Sequence, residues 1–600
     1  MADLHAEVVI VGSGGAALRA ALAAQARGAG VLVLTKGRVG ETGVTALSCS
    51  DRMAFHATLE HTDPGGPDAW RYHAEDIYRI GGRVSDASLA RILARGAGEA
   101  FHTLEGLGVP FAKGEDGRAD QFVTDGSQYA RACYTGPYTA NDIHEALRRE
   151  VGRQKVPVLE NVMATDVLVD ASGHAAGVRL ADGRTVGAGA VVLATGGAGE
   201  AYEVNVFPPR LTGDGFAMAY RAGAELVNLE FIQIGLSSVK TKLACSGSLM
   251  RAWPRLVDED DREFLFDYFP AGTSPEEVYR ILFRKGASWP LSNEEPSRII
   301  DIAVFSEMQQ GHTVYMDFSG NPSRLEIGRL DAGLWAKYPK IAALSLAEPP
   351  MADSPLERLK AINRPSVEWL AERGIDLDKG DRIELAPACQ HFQGGVKIDE
   401  QAETTVPGLF AAGECAGGQH GANRPGGNAL MDAQVFGKIA GEAAAERARE
   451  STPGEPVERS AEAGAARGSV MDVADVRSQI QHLMTMNASV KRTAQGVAEA
   501  LKALSELTAR PWQGEDTEMV AETRNIALVA EMVLRACGER TESRGPHLFF
   551  DSPESTAPLP RQDPGWQQYL VIHRGPDGEM AVDRRDPVAP DWELVQDIDA

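Results

Sequence analysis

The opening of the chain permits few folds. Glu7 to Val11 reads as a short apolar strand, Gly12-Ser13-Gly14-Gly15-Ala16-Ala17 as a glycine turn, Ala16 to Arg27 as an alanine-rich helix, and Val31 to Leu34 as a second strand. That order is a βαβ unit. The turn fits GxGxxG/A between strand and helix: Gly12 permits the tight turn, Gly14 lets a pyrophosphate approach the backbone, and Ala17 lets the helix pack closely. The N–H groups of the helix start then face phosphate oxygens. Where NAD-binding units carry an acid for the ribose, this chain has Thr35 and Lys36. The pattern therefore leans toward a flavin dinucleotide.

The remaining organisation extends this nucleotide-binding start. Val162 to Val169, Ala176 to Leu180 and Ala188 to Thr195 read as strands returning to the first sheet, and Gly394 and Leu409 begin later strand-like segments. Ala194-Thr195-Gly196-Gly197 and Gly408-Leu409-Phe410-Ala411-Ala412-Gly413-Glu414 put small residues where a backbone must approach a ligand. The composition between them, rich in Pro, Trp and Tyr, predicts an inserted domain. The expected fold is α/β: a Rossmann-like FAD-binding domain in two parts (1–234 and 365–446), an α+β capping domain at 235–364, a linker at 447–472 and a helical C-terminal domain with its tail from 473 to 600. In that last domain Ile480, Leu483, Met484 and Met486 lie near one helical face.

Composition excludes several function classes. The chain has 600 residues and a net charge of −25, a field that repels phosphate backbones and argues against nucleic acid as a partner. Its six cysteines are widely spaced with no Cys-x-x-Cys pair, so no zinc or iron–sulfur site and no other metal centre is expected. The N-terminus lacks a basic region ahead of its apolar run, and no uninterrupted apolar stretch reaches the ~18 residues of a membrane span. A cytoplasmic protein without a transmembrane segment is the expectation.

The motifs together resemble the flavoprotein subunit of succinate dehydrogenase and fumarate reductase and its soluble relative L-aspartate oxidase. The resemblance runs over most of the length: the glycine turn with Thr35-Lys36, LGVPF at 107 to 111, TGDGFAMAYRAGAEL at 212 to 226, LEFIQ at 229 to 233, GLFAAGE at 408 to 414, HGANRPGGNAL at 420 to 430 and TESRGPH at 541 to 547. It implies FAD along the first sheet, with Gly12, Gly14, Gly15 and Lys36 at its phosphate and ribose end. Gly196, Gly197, Asp214 and Glu414 would approach the cofactor, and Asn428, Ala429 and Leu430 would hold the flavin's pyrimidine edge. The alternative for Asp214 is a helix cap after Thr212-Gly213. Membrane-bound members attach FAD through a histidine in a Ser-His-Thr segment; Glu41-Thr42-Gly43-Val44-Thr45 contains none, which predicts non-covalent FAD.

In the family a dicarboxylate lies beside flavin N5, hydride moves between N5 and one carbon, and an arginine handles the proton on the next. By resemblance Arg298, in Pro296-Ser297-Arg298, is that arginine, and Arg424 is the substrate-carboxylate arginine, whose planar fork makes two parallel hydrogen bonds. His420 is either a cavity wall or a partner of the flavin loop. Two departures limit the transfer. The family's His-Pro-Thr-Gly is replaced by Gly235-Leu236-Ser237-Ser238, and its His-x-x-x-Gly-Gly by Gln390-His391-Phe392-Gln393-Gly394-Gly395. A one-residue shift along a strand turns a side chain to the other face, so either Gln390 replaces the histidine or a local rearrangement returns His391 to the cavity. Ser237 and Ser246 supply hydroxyls nearby. Cys389 and Cys415 read as small buried residues.

The expected function is an FAD oxidoreductase acting on an organic acid across a C–C or C–N bond, with one carboxylate on Arg424 and a less charged or larger far end. Alternatives are the flavoprotein subunit of a larger complex with a separate iron–sulfur electron acceptor, and a flavin-binding paralogue without turnover.

Overall fold

The computed structural model describes residues 4–48, 53–124, 126–288, 290–450, 454–455, 457 and 469–593. The first strand, Leu4–Val11, lies between Val31–Leu34 and Thr185–Leu193, parallel to both. Its second half is fully apolar and buried, as a strand covered on both faces must be. Val158–Leu159 extends one side of this sheet, Leu409–Ala411 pairs with residues 191–193, and Ala164–Val169 and Ala175–Leu180 continue it antiparallel. The segments predicted to return to the first sheet do so.

Two helices, Gly15–Ala26 and Asn428–Glu450, pack against each other on the sheet. Small residues allow that contact: Ala17, Ala20, Ala21 and Ala24 are fully buried, and a Cβ added at Gly441 would stand 2.2 Å from the Ala20 carbonyl. Gly12 is fixed by both conformation and space. Its φ is +122°, and a Cβ there would lie 2.2 Å from the Ala194 carbonyl oxygen, so only glycine lets the turn meet the neighbouring strand end.

The capping region builds its own sheet from Arg255–Val257, Tyr315–Asp317, Ile383–Phe392 and Ile232–Ser238, over an apolar cluster that includes Trp253, Phe264, Leu282 and Leu359. The boundary expected at 364 falls inside the helix Pro355–Glu372, and the cluster continues to Leu385. The helix is kinked at Asn363, two residues before Pro365, and apolar packing continues across the kink.

The C-terminal region is helical through Val473–Ala488, Ala494–Thr508 and Thr517–Glu539. Ile480 and Met484 are buried as their spacing predicts. Beyond these helices, Tyr569–Arg574 and Met580–Arg585 form a hairpin. Its buried Leu570, Val571 and Ile572 add the hairpin to Leu226–Val227 in a sheet with Gly395–Lys397. The expected linker overlaps the end of helix Asn428–Glu450, and most of the rest of it lies outside the described residues, as does Cys49.

Candidate active site

The glycine turn, the strand ends at Ala194 and Ala412 and the start of helix Asn428–Glu450 wall an elongated groove. Gly12, Gly14, Gly15, Thr35, Lys36, Gly196, Asp214, Glu414, Ala429 and Leu430 all line it. Three expected cofactor residues do not. Ala17 is buried in the helix packing, Gly197 sits behind Glu414, and Asn428 is turned to two histidines. The groove is formed mainly by backbone and small residues, with N–H groups of a helix start at the glycine turn, which fits the phosphates of FAD.

Charge at the nucleotide end is organised around Lys36. Its Nζ donates to Thr212 Oγ1 at 2.8 Å, Asp214 Oδ2 at 2.6 Å and Glu522 Oε1 at 3.0 Å. Burial would raise the Asp214 carboxyl, but the Lys36 charge and hydrogen bonds from Lys36, Asn525 and Thr212 hold it below its usual range. Asp214 is the first residue of the helix Asp214–Ala222, which left-handed Gly213 precedes and no side chain caps, so the cap reading is not met, whereas Asp214 does line the groove. Arg210, on the groove wall, donates to the Lys36 carbonyl at 3.1 Å and to Glu522 at 2.9 Å.

At the other end, Glu414 accepts from the Phe392 N–H at 2.9 Å. Burial raises this carboxyl to about 7, against the opposing Phe392 hydrogen bond and the Arg424 charge. The adjacent strand pair carries a bulge. Gln233 faces His391, whereas Ile234 already faces Cys389, so Gln390 is the extra residue. With that bulge His391 lines the groove, and the half-buried Gln390 does not. His391 Nδ1 pairs with Gln393 Nε2 at 3.1 Å, and its ring centre is 6.2 Å from that of His420. Burial, with Arg424 and His420 nearby, pushes His391 well below the ordinary histidine range, which keeps it neutral.

Arg424 belongs to this cluster. Burial lowers its guanidinium to about 10 in spite of Glu414 and Asp432, its Nε is buried without a hydrogen-bond partner, and its Nη1 has only a long 3.5 Å contact to the Pro425 carbonyl. Gln233 Nε2 donates to Asn423 Oδ1 at 2.6 Å and reaches the Arg424 carbonyl at 3.3 Å, bracing the loop from below. Buried oxygens of Gln233 and Gln393 and both ring nitrogens of His420 also lack hydrogen-bond partners, although His420 Nε2 lies 3.4 Å from Asp432. Unpaired polar atoms at such density call for a polar ligand or ordered water.

Arg298 is placed differently. It opens the helix Arg298–Gln309, and its Nη1 donates to the carbonyls of Asn293 at 3.0 Å and Glu295 at 3.1 Å on its own loop. Burial lowers its guanidinium, with Glu294 opposing. Ser237 is buried with a long 3.5 Å contact to the Gly235 carbonyl, and Ser246 precedes the short helix Gly247–Arg251 without capping it by its side chain. Burial raises both Cys389 and Cys415, the latter to about 11, so both stay thiols. Asp258, Glu307 and His312 approach one another, but Arg262 already bridges Asp258 at 2.8 Å and Glu307 at 2.5 Å and supplies the positive charge there.

Sequence reasoning missed several groove residues. Thr45 Oγ1 accepts the Gly15 N–H at 3.1 Å, and Val162, Met163 and Ala164 form a wall. The basic residue just before TGDG was the available signal for Arg210. His56 and His73, which meet at Asn428, carried none.

This groove and its polar end define a flavoprotein oxidoreductase that binds FAD, and comparison with known proteins agrees. Residues 7–430 match the family described as FAD binding domain, and residues 477–594 match fumarate reductase flavoprotein C-term. The chain belongs to the fumarate reductase and succinate dehydrogenase flavoprotein family. It is 29% identical to one subunit of the fumarate reductase (CoM/CoB) of Methanothermobacter marburgensis, over 95% of this chain and 97% of that one. It is also 29% identical to L-aspartate oxidase of Streptomyces coelicolor, over 97% and 94% of the two chains. Among solved structures, Mycobacterium smegmatis Sdh1 matches with a TM-score of 0.76 at 26% identity, over 97% of this chain and 94% of that one. Among the described residues, no helix is long and apolar enough to cross a membrane.

Proposed function

We propose that this oxidoreductase acts on a small organic acid bound by a single carboxylate on Arg424 and changed across a C–C or C–N bond. The observation that carries the reading is the Arg424 guanidinium, held beside Glu414 and neutral His391 with its Nε unpartnered. A planar, desolvated guanidinium without a protein carboxylate in contact binds a ligand carboxylate in two parallel hydrogen bonds. When bound, FAD supplies two-electron hydride exchange at its N5. The protein's own groups orient the acid and exclude water. Neutral His391 and the glutamine oxygens favour hydrogen-bonding groups over a second anion at the far end. Arg298 stands for proton transfer by resemblance, and that role requires the Asn293–Glu295 carbonyls to release its guanidinium.

The experiment is an anaerobic titration of the purified yellow protein with a panel of mono- and dicarboxylates, following flavin absorbance. Bleaching or reoxidation by monocarboxylates with a neutral polar far end, at lower concentrations than by succinate or fumarate, is the expected result. Preference for a dianion would overturn it.

A second reading is the flavoprotein component of a complex with an iron–sulfur partner, favoured by the near full-length match to a relative named as one subunit of a fumarate reductase. Co-purification with a cysteine-rich protein and slow reoxidation by air would support it. A cytoplasmic location suits the five buried, free cysteines among the described residues.

A further inference from the structure

Arg424 and the groove-lining pair Ala429 and Leu430 sit on one short segment, Arg424-Pro425-Gly426-Gly427-Asn428-Ala429-Leu430. Two glycines and a chain reversal make such a segment mobile unless something outside it holds it. His56, on the strand Met53–His56, does so at three points. Its backbone N–H donates to the Gly427 carbonyl at 3.3 Å. Its ring lies so close that a Cβ on Gly427, where φ is +101°, would meet it at 2.7 Å. Its Nδ1 contacts the Asn428 side-chain amide at 2.8 Å.

A second histidine, His73 from the helix Trp70–Ile80, meets the same amide through Nε2 at 3.2 Å, and the two rings pack edge to face. On the far side, His56 Nε2 lies 2.6 Å from Thr124 Oγ1, and Thr124 donates to the Gly426 carbonyl at 2.7 Å. His56, His73 and Asn428 are fully buried.

Counting protons fixes the roles. Thr124 has one hydroxyl hydrogen and gives it to Gly426, so it accepts from His56 Nε2–H. His56 Nδ1 is then a lone pair and needs a donor. The structure places Asn428 Oδ1 toward both imidazoles and leaves its Nδ2 without a partner; with the amide flipped, its NH2 group has two hydrogens, one for His56 Nδ1 and one for His73 Nε2. Nitrogen and oxygen of such an amide are assigned from their network, and this orientation is the one that gives a proton to every contact. Both histidines then act as neutral acceptors.

We infer that His56 and His73 form a clamp on Asn428 that positions the substrate arginine at one end of the segment and the flavin-edge backbone at the other. Resting on the reading of Arg424 and Ala429–Leu430 given above, the clamp makes carboxylate binding and flavin redox preference depend on side chains that touch neither ligand. His56 and His73 are positioning residues.

The test uses the FAD-loaded protein with the acid that bleaches it best. His56→Ala should raise KM about tenfold and weaken the preference for reduced over oxidised flavin about tenfold, a midpoint shift of ~30 mV toward negative values for a two-electron couple. His56→Gln, which keeps an acceptor for the amide, should recover at least half of both effects. Thr124→Ala, a milder change that removes only the outer contact, should shift both in the same direction and decides the matter if His56→Ala does not fold. Combining His56→Ala with Arg424→Met should add no further rise in KM beyond Arg424→Met alone. Midpoint potential and KM within twofold of the wild type in His56→Ala, or in Thr124→Ala where that variant decides, overturn the clamp. If Arg424→Met alone leaves KM unchanged, the carboxylate reading fails first, and the potential of His56→Ala still judges the clamp. A wild-type protein that binds no FAD overturns both.

Discussion

Gln233 lies directly opposite His391 across an antiparallel strand pair in which the next residue, Ile234, already faces Cys389. The extra residue, Gln390, is what turns the histidine into the groove.

Side-chain direction here is therefore a backbone property. His391→Gln should lower kcat/KM about tenfold, ~1.4 kcal/mol of transition-state stabilisation, and adding Gln390→His should not restore it, because position 390 is directed elsewhere. Steady-state kinetics on the single and double variants check this. Recovery in the double variant would show that the bulge does not control the site.

Arg424→Met should raise KM by two orders of magnitude or more, since a buried charge-assisted pair contributes about 3 kcal/mol. Arg424→Lys should recover only part of it, because an ammonium keeps the charge but loses the planar fork. Both variants should retain yellow flavin, which the visible spectrum reads directly.

Glu414 gives the FAD-free protein a pH signature. Its carboxyl sits at about 7 through burial, whereas an unfolded glutamate titrates near ~4.3. Below that lower value both states are protonated and nothing is lost. As pH rises through the window the unfolded state releases its proton first and stability falls, by ~4 kcal/mol at most, until the folded carboxyl ionises near neutrality and the penalty becomes constant. Glu414→Gln removes the penalty, so its Tm advantage over the wild type should be larger at pH 8 than at pH 4.5 in thermal melts.

The groove-lining segment Thr42–Thr45 presents no histidine to the cofactor. Acid precipitation should therefore leave all the flavin in the yellow supernatant. Flavin remaining with the pellet would show a covalent bond.

Arg298 is bound to two carbonyls of its own loop. If it transfers the proton after that loop releases it, Arg298→Lys should cut kcat by at least 10²-fold while leaving FAD affinity unchanged, a contribution of the size expected for general acid–base catalysis. Stopped-flow reduction of the flavin measures the step, and an unchanged rate assigns the proton to another group.

The amino-acid sequence by itself determined what depends on short-range chemistry. The apolar strand, the glycine turn and the alanine-rich helix declare themselves because a tight turn at Gly12 and a close helix contact admit few residue types, and Lys36, Asp214, Glu414 and Arg424 were legible through the motifs around them. Only the tertiary structure decided where distant segments converge. The bulge at Gln390 arises from pairing with a strand about 160 residues earlier; the loop that holds Arg298 is set by packing in the cap; Glu522 reaches Lys36 from a helix near the other end of the chain; and His56 meets Asn428 across 372 positions. The closing hairpin joins the sheet for the same reason, since apolar Leu570 to Ile572 need a buried edge that no neighbouring residue supplies. Local pattern records the conformation a segment prefers, whereas the direction of a side chain and the identity of its partner follow from burial and hydrogen-bond satisfaction summed over the whole fold.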